Sequence, residues 1–554
     1  MANTSKLTLQ NLINQSVQKF GDKTSVVFAG EENYTYQQMG NDIDLLADLL
    51  TELGVKRGDK VAILSTNMPN WGVAFFSVSV LGAIVVPILP DFHANEIKTI
   101  LEHSESKLLF VSEGLYKDIN KEAAGLLEHM ILIEKFAVIP EGTQANQFGN
   151  LKSSLPSVRK NFSRPEVEEE DLASIIYTSG TTGKSKGVML THKNLTWTAQ
   201  QCYTLQEIND NDRFLSVLPL SHTLENTVGF LLPLKYGASV HYLRKPPVAS
   251  VLMPAFQLVK PTIMLSVPLI IEKVFKSKIF PEFQKSAITR TLYSFPPIRK
   301  VMHRVAGKKL HQTFGGKLHF FGIGGAKLDS TVERFLYEGK FPYAIGYGLT
   351  ETSPLLAGAV AANRRLGSTG IVMEGVRLRI ADADPVTGEG EIQAQGANVM
   401  KGYYKSPEMT QEVFTEDGWF KTGDRGMFDK NGKLYIKGRI KTMIVGASGE
   451  NIYPEEIESV INKMKFVLES LVVEKKGKLV AMIHLNMEEI EQNFKDLKAG
   501  AQQFIHDKSD EILREIQKKV NEEVNKFSRI QQVVLQPIPF EKTPTKKIKR
   551  FLYV

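Results

Sequence analysis

Residues 177–187 read Tyr-Thr-Ser-Gly-Thr-Thr-Gly-Lys-Ser-Lys-Gly and follow directly on an apolar stretch, DLASIIYT. Glycines let a main chain approach a ligand closely. Its N–H groups, Ser/Thr hydroxyls and lysines suit phosphate oxygens. The common phosphate loop of nucleotidases needs Gly at its first position, and Thr178 stands there, so that motif fails. The string GASGE (446–450) misses the serine-hydrolase elbow because Glu450 occupies a required glycine. GIGGAK (322–327) and GYGLTE (346–351) lack the last glycine of the dinucleotide fingerprint, and no HExxH or paired-histidine spacing points to zinc. What remains is a phosphate loop outside the usual classes. Thr178 is at its base, Ser179, Gly180, Thr181, Thr182 and Gly183 form the cradle, and Lys184 and Lys186 supply charge.

The elements that must position this loop alternate. Helical patterns (LQNLINQSVQKF, IDLLADLLTELGV) and short apolar strands (KVAILS, AIVVPIL, KLLFVS) fill the first hundred or so residues, an α/β rhythm with largely parallel strands. A strand feeding a Gly/Ser/Thr loop is where phosphate sites are built. The alternation continues from about 213 to 345 (FLSVLPL, ASVHYL, PTIMLSV, LHFFGIGG, YAIGYG). From 367 short strands and glycine-rich turns (GSTGIVMEGVRLRI, GEIQAQG, KLYIKGRI) predict a small β-barrel or β-subdomain. After Arg439 come a helix at PEEIESVINKM, a hairpin around VVEKKGKLVAMIHL and a charged helix. That last helix carries Ile512, Ile516, Val520, Val524 and Phe527 on one face. The basic tail, EKTPTKKIKRFLYV, is either a solvated end or an arm reaching for an anion.

Composition narrows the classes. With 554 residues, 42% hydrophobic and 23% charged, the chain is globular and divides into several folding units. A net charge of +7 permits anionic ligands without demanding nucleic acid. Cys202 is the single cysteine, which excludes an internal disulfide and a thiolate metal cage and points to a reducing compartment. No secretory pattern opens the sequence, so a cytoplasmic location is the expectation. The run from 71 to 89 is uncharged. Ser77, Ser79, Gly82 and Pro87 divide it into a buried helix and a strand rather than a membrane span.

Taken together and in order, YTSGTTGKSKG, YGLTE (347–351), TGD (422–424), GRIK (438–441) and TPTKKIKR (543–550) resemble the AMP-forming adenylating superfamily of acyl-CoA synthetases, peptide-synthetase adenylation domains and luciferases. The resemblance spans essentially the whole chain. LPLSHTLE (218–225), VPLIIEKV and the form of the tail look most like long-chain fatty acyl-CoA synthetases.

That resemblance implies a large α/β domain over 1–438 that binds ATP and the acyl substrate. A smaller mobile α+β domain over 439–554 would turn about a hinge near Lys441. It also implies two half-reactions. A fatty-acid carboxylate attacks ATP to give acyl-AMP and pyrophosphate, and CoA then takes the acyl group and releases AMP. Bringing a carboxylate to a polyanion sets unit charges against each other by roughly 4 kcal/mol at about 4 Å, so neutralising groups are obligatory.

By position in the motifs, Glu351 would hold Mg²⁺ and Thr350 would meet the α-phosphate. Tyr347 and Gly348 would pack against adenine, bordered by Gly324, Gly325 and Ala326. Asp424 would take the ribose hydroxyls and Arg439 the ribose or α-phosphate. Lys547 would be the catalytic lysine, His222 would contact the substrate carboxylate, and Gly449, Glu450 and Asn451 would border the CoA path. Ser185 replaces a proline usual in the loop, and Leu269 stands where long-chain members often carry Arg. A carrier-protein thiol as acceptor, another carboxylic acid as substrate, and a membrane-associated fatty-acid uptake component remain alternatives, the last with peripheral membrane contact.

Overall fold

In the computed structural model the described residues are 6–157, 164–179, 185–360, 363–445, 451–475, 477–494, 501–543 and 547–554. Local signals set the first elements. Thr8 caps the helix Leu9–Phe20, whose Leu9, Leu12, Ile13, Ser16 and Phe20 are buried at helical spacing. Thr35 and Gln38 form a capping box on the helix Tyr36–Glu52. The uncharged run becomes the helix Pro69–Val80, started by its proline and buried from Trp71 on, and the fully buried strand Ile84–Ile88. Among the described residues, no helix is long and apolar enough to cross a membrane.

Two eight-stranded sheets carry most of the chain. The first runs in the order Gly402–Tyr403, Ser185–Thr191, Leu172–Ser179, Ile84–Ile88, Lys60–Leu64, Ser106–Val111, His129–Leu132, Ala137–Val138. Its middle is parallel and its ends are antiparallel. The second runs Val26–Phe28, Ser239–Tyr242, Arg213–Leu215, Ile263–Ser266, Phe320–Ile323, Tyr343–Tyr347, Ala357–Ala359, Ile371–Val372, parallel until its last two strands. Side chains of both sheets and of the helix Pro69–Val80 share one hydrophobic core. Within it Trp71 stacks on Phe75 at 5.3 Å and meets the edge of Phe230 at 5.9 Å.

The region after 367 differs in detail from the expectation. Arg377–Ala381, Gly390–Gln395, Phe420–Phe428 and Leu434–Arg439 form a four-stranded antiparallel sheet. Its end strands do not pair with each other among the described residues, so it is an open sheet. Ile371–Val372, part of the same glycine-rich texture, extends the second large sheet instead. Of FLSVLPL only Arg213–Leu215 is strand. Ser216 N–H still donates to the His241 carbonyl at 2.9 Å, and the Ser216 hydroxyl donates to the Glu225 carboxyl.

The last hundred or so residues hold a separate hydrophobic cluster built from the helix Pro454–Ile461, the hairpin Val467–Lys475 with Lys478–Leu485, and Ile512, Ile516 and Val520 of the helix Ala501–Glu523. Gln532–Leu535 adds a parallel third strand to the hairpin.

Candidate functional site

The parallel strands Ile263–Ser266, Phe320–Ile323 and Tyr343–Tyr347 lie in register, Ser266 beside Ile323 beside Ile345. Their carboxyl ends open on one side of the sheet, where ligands of open α/β sheets bind. Gly324 and Gly348 follow there. A Cβ on Gly348 would sit 1.8 Å from the Pro354 carbonyl, so only glycine lets the chain turn back on itself. Gly325 takes a positive φ of 86°, and it and Ala326 remain exposed at the rim.

Thr350, Glu351 and Thr352 form a short 3₁₀ turn beyond Gly348. Asn398 Nδ2 holds it by donating to the carbonyls of Thr352 and Leu355 at 3.1 and 2.8 Å, and Met400 N–H donates to the Glu351 carbonyl at 2.9 Å. The Tyr403 hydroxyl donates to Glu351 Oε1 at 2.9 Å. The ammonium of Lys186 lies 5.0 Å over the Tyr403 ring. Tyr403 thus ties Lys186 to Glu351, and the sequence offered no motif to find it. The signal is the edge strand Gly402–Tyr403, which pairs with Ser185–Thr191. Burial and the nearby Lys441 lower the Lys186 pKa.

Opposite this lies a second charged group. The Tyr347 hydroxyl donates to Asp424 Oδ2 at 2.8 Å, and Arg439 Nε reaches Asp424 Oδ1 at 3.0 Å. Asp424 and Arg439 face each other across adjacent antiparallel strands. Asp424 N–H donates to the Thr422 hydroxyl at 3.1 Å, and Thr422 in turn donates to the Ile392 carbonyl at 2.7 Å. Burial pushes Asp424 upward against the opposing pull of Arg439 and Tyr347, and burial then Asp424 push the Tyr347 phenol far up. Tyr347 is therefore a neutral donor.

The tail completes the cluster. Thr543 N–H donates to the Lys547 carbonyl at 2.7 Å and Lys547 N–H to the Thr543 hydroxyl at 3.2 Å, and Lys542 bridges antiparallel to Ile548. Lys542 pairs with Glu469, Lys549 with Glu541 at 2.7 Å, and Arg550 with Glu458 at 2.5 Å. Lys547 instead lies near enough to Arg439, Asp424 and Glu351 for their charges to act on its own, with solvent still reaching it. Burial among protein atoms and repulsion from Arg439 lower its pKa, and Asp424 and Glu351 oppose that shift.

His222 closes the other side. Its Nδ1 accepts from Leu224 N–H at 3.2 Å, which leaves the ring proton on Nε2. Burial, then the charge of Lys547, lower its pKa to about 4, so at neutral pH it is a neutral Nε2–H donor.

Behind His222 the chain enters a π-helix, Glu225–Leu231. Glu225 is fully buried, and burial raises its pKa to about 8. Its Oε1 accepts from the Ser216 hydroxyl at 2.5 Å; Ser216 accepts from Asn67 Nδ2 at 2.9 Å. Leu220 N–H donates to Asn67 Oδ1 at 2.8 Å. Asn67, Ser216 and Glu225 thereby hold the His222 segment against the first sheet. The residue types gave no hint of this, because the three are remote in sequence. Beyond the π-helix is an apolar cavity of about 50 Å³ lined by Val228, Leu232, Ile263, Leu265, Phe320 and Leu355, with Cys202 in its wall.

Several expected residues stand apart or cannot be placed. Thr178 and Ser179 pair with Lys186 and Ser185 at the mouth of the loop. Gly180, Thr181, Thr182, Gly183 and Lys184 lie outside the described residues, as do Gly449, Glu450 and Lys546. Asn451 is placed only as the strand partner of Val445. Lys441 is exposed in the 3₁₀ turn Ile440–Thr442. Leu269 lies at the surface, 56% exposed.

The profile of the family described as AMP-binding enzyme matches residues 13–404. The chain belongs to this family. This AMP-binding enzyme is 29% identical to the long-chain-fatty-acid–CoA ligase FadD15 of Mycobacterium bovis, over 93% of this chain and 89% of that one. It is 27% identical to the chloroplastic long-chain-fatty-acid–[acyl-carrier-protein] ligase AEE15 of Arabidopsis thaliana, over 97% and 84%. Its fold matches that of O-succinylbenzoate coenzyme A synthetase (MenE) from Bacillus subtilis, solved in complex with ATP and magnesium ion. The TM-score is 0.74, with 22% identity and 98% of each chain covered.

Proposed function

We propose that this AMP-binding enzyme activates a long-chain fatty acid and passes it to CoA. In the first half-reaction a carboxylate oxygen bonds the α-phosphorus of ATP and the bond to pyrophosphate breaks. In the second the CoA sulfur bonds the acyl carbon, the bond to the AMP oxygen breaks and the thiol proton leaves to solvent. The observation that supports the reading is the pairing of Asp424 with Arg439 and Tyr347, with Lys547 of the tail near enough to Asp424, Arg439, Glu351 and His222 for their charges to act on one another.

Each residue has a task its chemistry suits. The neutral Nε2–H of His222 donates to the incoming carboxylate without trapping it as a salt bridge. Lys547 lies between that carboxylate and the α-phosphate and offsets charge as it develops. Asp424 takes the ribose hydroxyls, Arg439 orients Asp424 and faces the phosphate, and Tyr347 with Gly348, Gly324, Gly325 and Ala326 borders adenine. Thr350 meets the α-phosphate, and the loop at 178–186 cradles the outer phosphates.

Among the described residues no cluster of three or more His, Cys, Asp or Glu could hold a metal by itself. One carboxylate, Glu351, whose Oε1 already accepts from Tyr403, fits Mg²⁺, which takes one or two carboxylates together with substrate phosphates. When bound, the ion would neutralise phosphate charge.

The cavity beyond the π-helix supports an apolar acyl group. Its present volume is a fraction of what a ligand pocket needs, so a long chain enters by displacing side chains. The boundary between the moving parts falls at 438/439, with Lys441 in the hinge, and residues 449–451 border the thiol path. A single buried cysteine accords with a cytoplasmic enzyme. The similarity to AEE15 favours a second reading, in which a carrier-protein thiol is the acceptor.

Incubation with ATP, Mg²⁺, palmitate and CoA tests the proposal. AMP and palmitoyl-CoA are expected. AMP without thioester, restored to thioester by acyl-carrier protein, selects the second reading, and ADP as product overturns both.

A further inference from the structure

Between Glu282 and Asp329 the sequence contains no acidic residue and nine Lys or Arg. This stretch folds as the helices Ala287–Ser294 and Pro296–Thr313, joined at Phe295. The inward side of the longer helix is well used. His303, Gly307 and Leu310 are buried, Arg299 is paired with Glu338 at 2.9 Å, and Met302 and Ala306 pack on the core. The Tyr293 hydroxyl bonds His303 Nε2 at 3.0 Å and draws the shorter helix onto the longer one.

The outward side has a composition that a solvated helix does not need. At 100° per residue Ile298, Val301, Val305 and Lys308 point directly away from His303 and Leu310, with Arg304 and Lys309 on either flank. Val301 is 59% exposed and Val305 67%. Ile288, 72% exposed, and Leu292 stand one turn apart on the shorter helix, and Phe295 is exposed at the joint. Scattered exposed apolar residues are ordinary, but six on two consecutive helices, three of them aligned on one face between basic flanks, are not. Among the described residues Arg290, Lys300, Arg304, Lys308 and Lys309 are in no ion pair. Beside them a groove of about 440 Å³ runs between the helix and the Gly339–Lys340 turn, lined by Arg304, Lys308, His311 and Lys340.

We propose that this outward face docks on an anionic lipid bilayer. The apolar stripe enters the boundary between headgroups and acyl chains, the flanking cations meet the lipid charge, and the groove receives a headgroup phosphate. Nucleic acid would use the cations and leave the aliphatic stripe in water, which is why the lipid surface is the better partner. The surface argument stands on its own, and the proposed activity supplies only its use: a long-chain acid resides in membranes, so docking brings the enzyme to its substrate.

The test is co-sedimentation of the full chain, without substrate, with phosphatidylcholine vesicles and with the same vesicles containing phosphatidylglycerol. Binding to the anionic vesicles at least about tenfold tighter, weakened by salt, is expected. I288S/V301S/V305S and K300E/R304E/K308E each reduce it at least about tenfold. Both sets change exposed positions, and unchanged ATP–pyrophosphate exchange in solution shows that the variants fold and separates this result from the fate of the proposed activity. No binding to either vesicle, equal binding to both, or full binding by the serine variant overturns the proposal. Vesicle binding absent while RNA binds assigns the face to a polyanion instead.

Discussion

The two ends of the cleft treat charge in opposite ways. At the proposed nucleotide end, Asp424, Arg439, Lys547, Lys186 and Glu351 bring both signs of charge together, and each carboxylate has a donor, Tyr347 or Tyr403. At the proposed acyl end the polar groups are buried or half-buried and uncharged: His222 is held neutral, and Glu225 is pushed toward its acid form by burial. Glu225 Oε2 and the side chains of Ser221, Thr223, Asn226 and Thr227 have no protein partner among the described residues. Under the proposed function the difference follows from what each end would hold. A polyanion needs charge that survives partial hydration, whereas an aliphatic chain is best met by a wall without ions, where an unpaired charge would cost several kcal/mol.

The sharpest way to break this contrast is to remove charge from the nucleotide end. Lys547→Ala is expected to slow ATP–pyrophosphate exchange by about 10²–10³-fold, the usual loss for a group that stabilises charge in the transition state, with partial recovery in Lys547→Arg. Lys542→Ala, whose lysine is committed to Glu469, should leave the exchange near wild type. Equal losses in both would mean that the tail acts only through folding. Asp424→Asn keeps shape and loses charge. A rise in the KM for ATP of about 10–100-fold is expected, from about 1.5–3 kcal/mol per hydrogen bond to a charged group.

The acyl end is tested through pH. Glu225 has a folded pKa of about 8 against an ordinary 4.5. Between those values the unfolded chain has released a proton that the folded chain keeps, so stability falls as pH rises, by up to about 1.4 kcal/mol per unit. Denaturant unfolding of the wild type at several pH values across that window should show the fall, and Glu225→Gln should flatten it. An unchanged slope in the variant would place the charge asymmetry elsewhere. The mildest change is Tyr403→Phe, which deletes one neutral donor to Glu351. A loss of about 2–10-fold in adenylation is expected, appearing as a higher Mg²⁺ requirement in a metal titration; a loss confined to the acyl substrate KM would remove Tyr403 from the nucleotide end.

Much of the frame was legible along the chain because the signals are local. The helix Leu9–Phe20 coincides with its pattern and the strands at 60–64, 84–88 and 172–179 follow their apolar runs, whereas the second helix, expected over IDLLADLLTELGV (43–55), starts seven residues earlier at Tyr36, where Thr35 and Gln38 cap it. The exceptions have physical causes. Ile371–Val372 joins the second large sheet because Ala357–Ala359 offers it an antiparallel edge. Beyond Leu215 the backbone keeps one bond to the neighbouring strand, Ser216 N–H to the His241 carbonyl at 2.9 Å, while the Ser216 hydroxyl is engaged by Glu225 and Asn67. Lys547 could be picked from its neighbours only by its place in a motif, and the ion pairs of Lys542 and Lys549 supply the physical reason.

The sequence by itself determined the groups available: a Gly/Ser/Thr/Lys loop suited to phosphate, a basic tail, and a single cysteine that allows no thiol pair or thiolate cage, while the metal role of Glu351 is what the family resemblance implies. The loop, the tail and the lone cysteine follow from residue types at short spacing, which survive any arrangement of the chain. Only the tertiary structure decided the couplings. Tyr403 reaches Glu351 across 52 positions, Tyr347 reaches Asp424 across 77, and Asn67 meets Ser216 across 149. It also decided protonation, since burial, which neutralises His222 and raises Glu225, is a property of the packed surroundings and has no counterpart in a linear motif.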